Sequence, residues 1–130
     1  MARALRVLAW VMGIACVAIG LYHVVAGNAA ITGAEDAGAT VDSFGRFMGA
    51  IFAGYGLAWL WAVRQKPVPA VAVRVLTGIF LLGGLSRVLS IAVEGRPNGF
   101  QVMLMTIELT LSPVYFWLAH AEERAARARA

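Results

Sequence analysis

The segment LRVLAWVMGIACVAIGLYHVVA, residues 5–26, is almost entirely apolar and decides the fold class. A helix needs about 20 mainly apolar residues to cross a hydrocarbon core about 30 Å thick, so this segment predicts a transmembrane helix. Its length argues against a signal peptide, whose apolar region spans about 7–15 residues. Three more windows of similar length and composition predict further transmembrane helices, at residues 44–63, 70–93 and 100–119.

The composition of the 130 residues supports the same interpretation. It is 61% hydrophobic and 14% charged, well outside the average for soluble proteins. We therefore expect one all-α domain over residues 1–130, an integral membrane four-helix bundle with short loops. The net charge of +4 does not predict a nucleic-acid partner, because the basic residues lie mainly at the ends of apolar segments. A single cysteine, Cys16, excludes an internal disulfide, and we predict neither a metal site nor a cofactor.

The positions of the basic residues predict the orientation of the helices. Cytoplasmic loops of membrane proteins carry an excess of Lys and Arg. Here such residues flank the first helix, the connection between the second and third helices, and the end of the fourth helix: Arg3, Arg6, Arg64, Lys66, Arg124, Arg127 and Arg129. We therefore predict that both termini are cytoplasmic. Ten of the eleven basic residues are Arg and alanine is abundant, which indicates a bacterium and hence the bacterial inner membrane.

The ends of the helices carry two further features. Aromatic side chains gather toward the predicted cytoplasmic ends, where we expect an interfacial belt made of Trp10, Trp59, Trp61, Tyr115 and Trp117. The tail from His120 to Ala130 is expected to extend the fourth helix, and its arginines suit anionic lipid headgroups.

Two connections are predicted to face outward. Gly95 and Pro97 predict a tight turn between the third and fourth helices. The connection at residues 27–43 is longer and contains three acidic residues. Because a long ordered loop often serves as a lid, we expect it to fold over the outer end of the bundle, with its carboxylates near Arg46 and Arg96.

Small residues recur at spacings of three and four along three of the helices. In a membrane such residues let two helix backbones approach closely. The stripes comprise Gly13, Cys16, Gly20 and His23 in the first helix, Gly45, Gly49, Ala53 and Gly56 in the second, and Gly83, Gly84 and Ser90 around Arg87 in the third. We expect these glycine-rich faces to pack the helices together, and they could also bind a protein partner or a second copy of the chain.

Five ionisable residues lie within or beside the apolar segments, where an unpaired charge costs a few kcal/mol. Arg87 and Glu108 are at matching depths of roughly 9–12 Å from the outer ends of their helices, so we predict that they are in contact. Asp42 and Arg46 form an i,i+4 pair at the start of the second helix, and His23 lies about one turn from the outer end of the first. We expect all five to line one outward-facing ligand-binding cavity.

Each of these residues also has a structural alternative. Arg87 and Glu108 could form an ion pair that only fixes helix register. Asp42 and Arg46 could anchor the start of a helix, and the His23 side chain could simply reach the interface. The polar face of the fourth helix continues through Gln101, Ser112 and Tyr115, beside Pro113.

With these residues in view, the chain resembles an uncharacterised family of small four-helix bacterial membrane proteins, a domain of unknown function similar in architecture to DoxX-like proteins. The resemblance covers residues 7–119. It rests on the motifs FGRFMG at 44–49, GGLSR at 83–87 and EGRP at 94–97, and on Glu108 with Pro113. It implies the fold and the choice of polar residues, but no activity. The chain does not resemble a small multidrug transporter, because its first helix contains no carboxylate.

Three classes of function fit the sequence. The first is a non-enzymatic membrane component, either an accessory subunit of a membrane complex or a protein that binds membrane lipids or another hydrophobic ligand. The second is a membrane-embedded isomerase or cyclase for an isoprenoid-like substrate, with Glu108 and His23 as the candidate catalytic residues. The third is a proton-coupled transporter, which would require the four helices to dimerise. We favour the first, because the sequence contains no complete catalytic set.

Overall fold

The computed structural model describes residues 2–129, and all regular structure in this range is helical. The α-helices are α1 (Ala2–Ala26), α2 (Gly38–Arg64), α3 (Ala70–Glu94) and α4 (Gly99–Ala128), and a short 3-10 helix, η1 (Gly27–Ala30), follows α1. Each of the four α-helices is long and apolar enough to cross a membrane. The prediction of an all-α chain with four helices of membrane-spanning length is therefore confirmed.

Two helix ends differ from the predicted windows by six residues or more. Helix α2 begins at Gly38 rather than at residue 44, and α4 ends at Ala128 rather than at residue 119. The windows followed apolar content, whereas a helix continues through polar residues as long as its backbone hydrogen bonds continue. The predicted helical extension of the tail is confirmed. The connection between η1 and α2 covers only residues 31–37, compared with the predicted connection at 27–43.

The chain divides into two compact units. The α1–α2 unit covers Leu8–Arg64, and the α3–α4 unit contains α3 and α4 together with the first turns of α1. The assembly of all four helices into a single domain and bundle remains a prediction.

Within the α1–α2 unit, the two helices run antiparallel and touch through glycines. A Cβ atom on Gly20 would lie 2.5 Å from the carbonyl oxygen of Gly49, and one on Gly56 would lie 2.7 Å from the carbonyl oxygen of Gly13. Real Cβ atoms do not approach other heavy atoms this closely. The predicted packing role of these two stripes is confirmed, and Cys16 is buried as expected of a packing residue.

Within the α3–α4 unit, only one of the two adjacent glycines lies in the helix contact. A Cβ atom on Gly84 would lie 2.9 Å from Cδ2 of Leu109 and 3.1 Å from Cβ of Glu108. A Cβ atom on Gly83 would meet nothing within 4 Å. The predicted stripe in the third helix is therefore narrower than its sequence pattern indicated, since neighbouring residues on a helix point about 100° apart.

The turn between α3 and α4 is closed by local hydrogen bonds. Gly95 ends α3 with φ of 91°, a left-handed conformation that glycine adopts without strain, and its N–H donates to the carbonyl of Ile91 at 3.0 Å. Asn98 caps α4, because its Oδ1 accepts from the backbone N–H of Gln101 at 3.1 Å. The predicted tight turn is confirmed.

The aromatic belt is only partly supported. Trp61 and Trp117 are exposed, at 59% and 61%, as residues facing a membrane interface would be. Trp59 and Tyr115 are buried, with 0% and 2% exposure, so the belt interpretation is wrong for these two. Position along the chain set their depth, but the rotation of the helix set the face on which they lie. The Trp10 ring instead meets the guanidinium of Arg64, 5.8 Å from the ring centroid.

Candidate functional site

The five predicted site residues fall into two groups, each within one unit. His23, Asp42 and Arg46 belong to the α1–α2 unit, and Arg87 and Glu108 belong to the α3–α4 unit. Their convergence on a single cavity remains a prediction. The two groups differ in how completely their polar atoms are bonded.

Arg87 on α3 forms an ion pair with Glu108 on α4. Its Nε donates to Oε2 of Glu108 at 2.8 Å, and its Nη1 donates to Oε1 of Gln101 at 2.6 Å. Nη2 has no hydrogen-bond partner among residues 2–129. The predicted contact between Arg87 and Glu108 is therefore confirmed, and Gln101 joins them.

The local sequence around Glu108 favours this arrangement. The absent side chain of Gly84 lets α4 approach α3 at the level of the Glu108 Cβ. Ser112, fully buried, donates from Oγ to the carbonyl of Glu108 at 2.6 Å, so its hydroxyl is satisfied within its own helix. The Glu108 side chain is 14% exposed and that of Arg87 is 35% exposed. The carboxylate is thus enclosed, while the guanidinium reaches an accessible edge.

A cleft of about 230 Å³ opens at that edge. We call it the Arg87 cleft, and its walls are Arg87, Ser90, Ile91, Pro97, Gln101 and Met105. It is smaller than the roughly 300–1,000 Å³ of a pocket that encloses a whole drug-sized ligand, so it suits one end of a larger molecule. Its polar walls offer three donors not used by any described residue: Nη2 of Arg87, the side-chain amide of Gln101 and the hydroxyl of Ser90.

The second group anchors the end of α1. Arg46 donates from Nη1 to the carbonyls of Val24 at 2.6 Å and Val25 at 3.1 Å, and from Nε to Oδ2 of Asp42 at 2.7 Å. Oδ1 of Asp42 in turn accepts from the backbone N–H of Asn28 at 3.0 Å. The last carbonyls of a helix have no partners within it and carry a partial negative charge, which a guanidinium satisfies. This geometry supports the structural alternative for Asp42 and Arg46.

His23 is turned toward its own helix. Its Nδ1 lies 2.8 Å from the carbonyl oxygen of Ile19, and because a carbonyl only accepts, Nδ1 is the protonated nitrogen. The ring also meets Tyr22 edge to face, with centroids 6.2 Å apart.

The connection after α1 is ordered by its own hydrogen bonds. Gly27 turns the chain with φ of 57°, and the side chain of Asn28 donates to the carbonyl of Gly38 at 3.1 Å. The Glu35 carboxylate accepts from the N–H of Gly33 at 3.2 Å, and the backbone amides of Glu35 and Gly33 hold its pKa below the usual range. The predicted approach of Asp42 to Arg46 is confirmed. The role of residues 27–43 as a lid over the outer end of the bundle remains a prediction.

Sequence reasoning missed a second ion pair between α3 and α4. Arg74 pairs with Glu123, which also accepts from Arg127 at 2.8 Å, and Arg129 lies 3.3 Å from Glu122. The sequence contained a signal for this pair. In antiparallel helices, moving from Arg87 toward the start of α3 corresponds to moving from Glu108 toward the end of α4. This correspondence aligns Arg74 with Glu122 and Glu123, the only acidic residues of the tail. This second pair serves as a natural comparison for the first.

Comparisons with known proteins add a family but no activity. Within residues 2–129, no group of three or more His, Cys, Asp or Glu side chains is placed to hold a metal ion. No curated protein and no solved structure matches the chain. One family matches residues 4–119, a range that covers most of α1 and α4, all of α2 and α3, and the Arg87–Glu108 pair. The chain belongs to this family, which is described as Domain of unknown function (DUF4345).

Proposed function

We propose that this is a non-enzymatic membrane protein that binds the polar head of a lipid-like ligand in the Arg87 cleft. One observation carries the proposal: three unused hydrogen-bond donors share a small cleft with the apolar side chains of Ile91, Pro97 and Met105. A few well-placed polar groups within apolar walls are the usual composition of a small-molecule site.

The surroundings of the cleft suit an amphipathic ligand. Large apolar side chains on the same parts of α3 and α4 are exposed, including Leu89 at 65%, Val93 at 69% and Phe100 at 47%. In a membrane these side chains would meet acyl chains. A ligand could therefore place its head in the cleft and leave its chains in the bilayer, which agrees with the limited volume.

The isomerase or cyclase alternative gains no support from this geometry. It requires Glu108 and His23 to exchange protons with a substrate. Oε2 of Glu108 accepts from Arg87, and Nδ1 of His23 is engaged by Ile19. Each group thus has a partner within its own unit, and neither residue lines the Arg87 cleft.

The proposal is tested by filling the cleft without touching the ion pair. Met105→Trp places a larger side chain in the cleft, and Met103→Trp, on the exposed face of the same helix, is the matched control. Native mass spectrometry of the protein in mild detergent measures the retained lipid. We expect M105W to lose most of it and M103W to keep it.

Equal lipid retention by both variants would contradict the proposal. Recovery of a stoichiometric protein partner with no retained lipid would instead favour an accessory subunit of a membrane complex.

A further inference from the structure

The charges at the Arg87 cleft cancel. Arg87 is the one charged residue among the six that line the cleft, and the Glu108 carboxylate lies 2.8 Å from its Nε. Glu94, the last residue of α3, and Arg96 in the adjoining turn are exposed and also of opposite sign. A ligand head entering the cleft therefore meets a site with no net charge.

The hydrogen-bonding capacity of the cleft is nevertheless one-sided. Nη2 of Arg87, the amide nitrogen of Gln101 and the hydroxyl of Ser90 can donate to a ligand. Two nearby acceptors, Oε1 of Gln101 and Oε2 of Glu108, already accept from Arg87. The ligand head should therefore supply acceptor oxygens.

A phosphate would supply acceptors but would also bring uncompensated negative charge. Placing a net charge in a site at the membrane costs free energy unless an opposite charge is free to pair with it. Here the guanidinium is already paired with Glu108. An ester or hydroxyl oxygen meets the same donors without that cost.

We infer that the Arg87 cleft selects an uncharged lipid head with ester or hydroxyl oxygens, as in a diacylglycerol, over a phosphate-bearing head. The inference rests on the proposed function, since it names the class of ligand for the same cleft. It assigns the selectivity to Glu108, which neutralises Arg87.

The test compares two lipids that differ only in the phosphate. Diacylglycerol and phosphatidic acid with identical acyl chains are titrated into the full-length protein in detergent, and binding is measured by native mass spectrometry. We expect the unmodified protein to bind diacylglycerol about tenfold more tightly or better. Glu108→Gln removes the compensating charge, so this preference should reverse by a similar factor.

Two variants separate charge from folding. Glu123→Gln breaks the matching ion pair with Arg74, away from the cleft, and should leave the preference unchanged. The double variant Arg87→Gln with Glu108→Gln restores a neutral cleft and should again prefer diacylglycerol, even if Glu108→Gln alone folds poorly.

Tighter binding of phosphatidic acid by the unmodified protein would overturn the inference and leave the proposed function standing. If neither lipid binds, or if M105W leaves the binding of both lipids unchanged, the proposed function and the inference are overturned together.

Discussion

Arg87 and Glu108 illustrate how a partly enclosed charge depends on its partner. The Glu108 side chain is 14% exposed, so little solvent remains to stabilise its carboxylate if the guanidinium is removed. Arg87, at 35% exposure, can still reach water or a lipid headgroup. The charge of Glu108 therefore depends on Arg87 for its stabilisation more than the charge of Arg87 depends on Glu108.

We predict that Arg87→Met lowers the free energy of unfolding by about 1–3 kcal/mol, below the roughly 3–5 kcal/mol of a fully buried pair, because Arg87 is partly exposed. Adding Glu108→Gln should restore part of the loss, since the enclosed charge then disappears. Thermal unfolding of the single and double variants in detergent measures both effects.

The Arg74–Glu123 pair provides the control for that experiment, because it also joins an Arg of α3 to a Glu of α4. Its side chains are 33% and 29% exposed, so Arg74→Met should cost less than Arg87→Met. Strictly additive losses for Arg87→Met and Glu108→Gln would show that the two residues are not energetically coupled.

At the scale of the helices, the two units use different means of association. Helices α3 and α4 are joined by two Arg–Glu pairs, one toward each end, and either pair would be broken by a shift of one helical turn. Helices α1 and α2 instead meet through glycines, with Arg46 fixing the end of α1. Ion pairs specify register, whereas glycine contacts specify distance.

We predict that Gly49→Ala weakens the α1–α2 contact. Its new Cβ would lie 2.7 Å from Cβ of His23 and 2.8 Å from the carbonyl oxygen of Gly20, so one helix must move. Overpacking of this kind costs about 1–3 kcal/mol. The measurement is the melting temperature in detergent.

Gly54→Ala is the matched control on the same helix, because a Cβ there meets nothing within 4 Å. Alanine is the better helix former, so this change should be neutral or slightly stabilising. A Gly49→Ala protein as stable as the Gly54→Ala protein would refute the close contact.

At the scale of the whole molecule, the charges at the helix ends predict orientation in the bilayer. The connection between α2 and α3 carries Lys66 beside Arg64, whereas residues 31–37 carry Glu35 and Asp36 and no basic residue. The positive-inside rule then places the first connection in the cytoplasm and the second outside.

We predict that cysteines introduced at Thr32 and Gln65 are labelled from opposite sides of the membrane. Cys16→Ala removes the native thiol, which is buried and small enough to replace. A membrane-impermeant maleimide applied to intact cells should modify position 32, and position 65 should react only after permeabilisation. Reaction of both positions in intact cells would overturn the predicted topology.

Much of this molecule could be predicted from its sequence. Each helix was recognisable because the hydrocarbon solvent imposes a length and an apolar composition that a linear pattern displays directly. The contact of Arg87 with Glu108 was also predictable, because a short turn forces α3 and α4 antiparallel and places the two residues at one depth. Both inferences use only distance along a helix.

The tertiary structure alone decided which way each side chain faces and what it meets. It buried Trp59 and Tyr115, separated Gly84 from Gly83, and turned Arg46 onto the carbonyls at the end of α1. It also placed unused donors beside apolar walls in the Arg87 cleft. The physical reason is that apolar composition sets the depth of a residue in a membrane, whereas its partners depend on helix rotation and on the neighbouring helix.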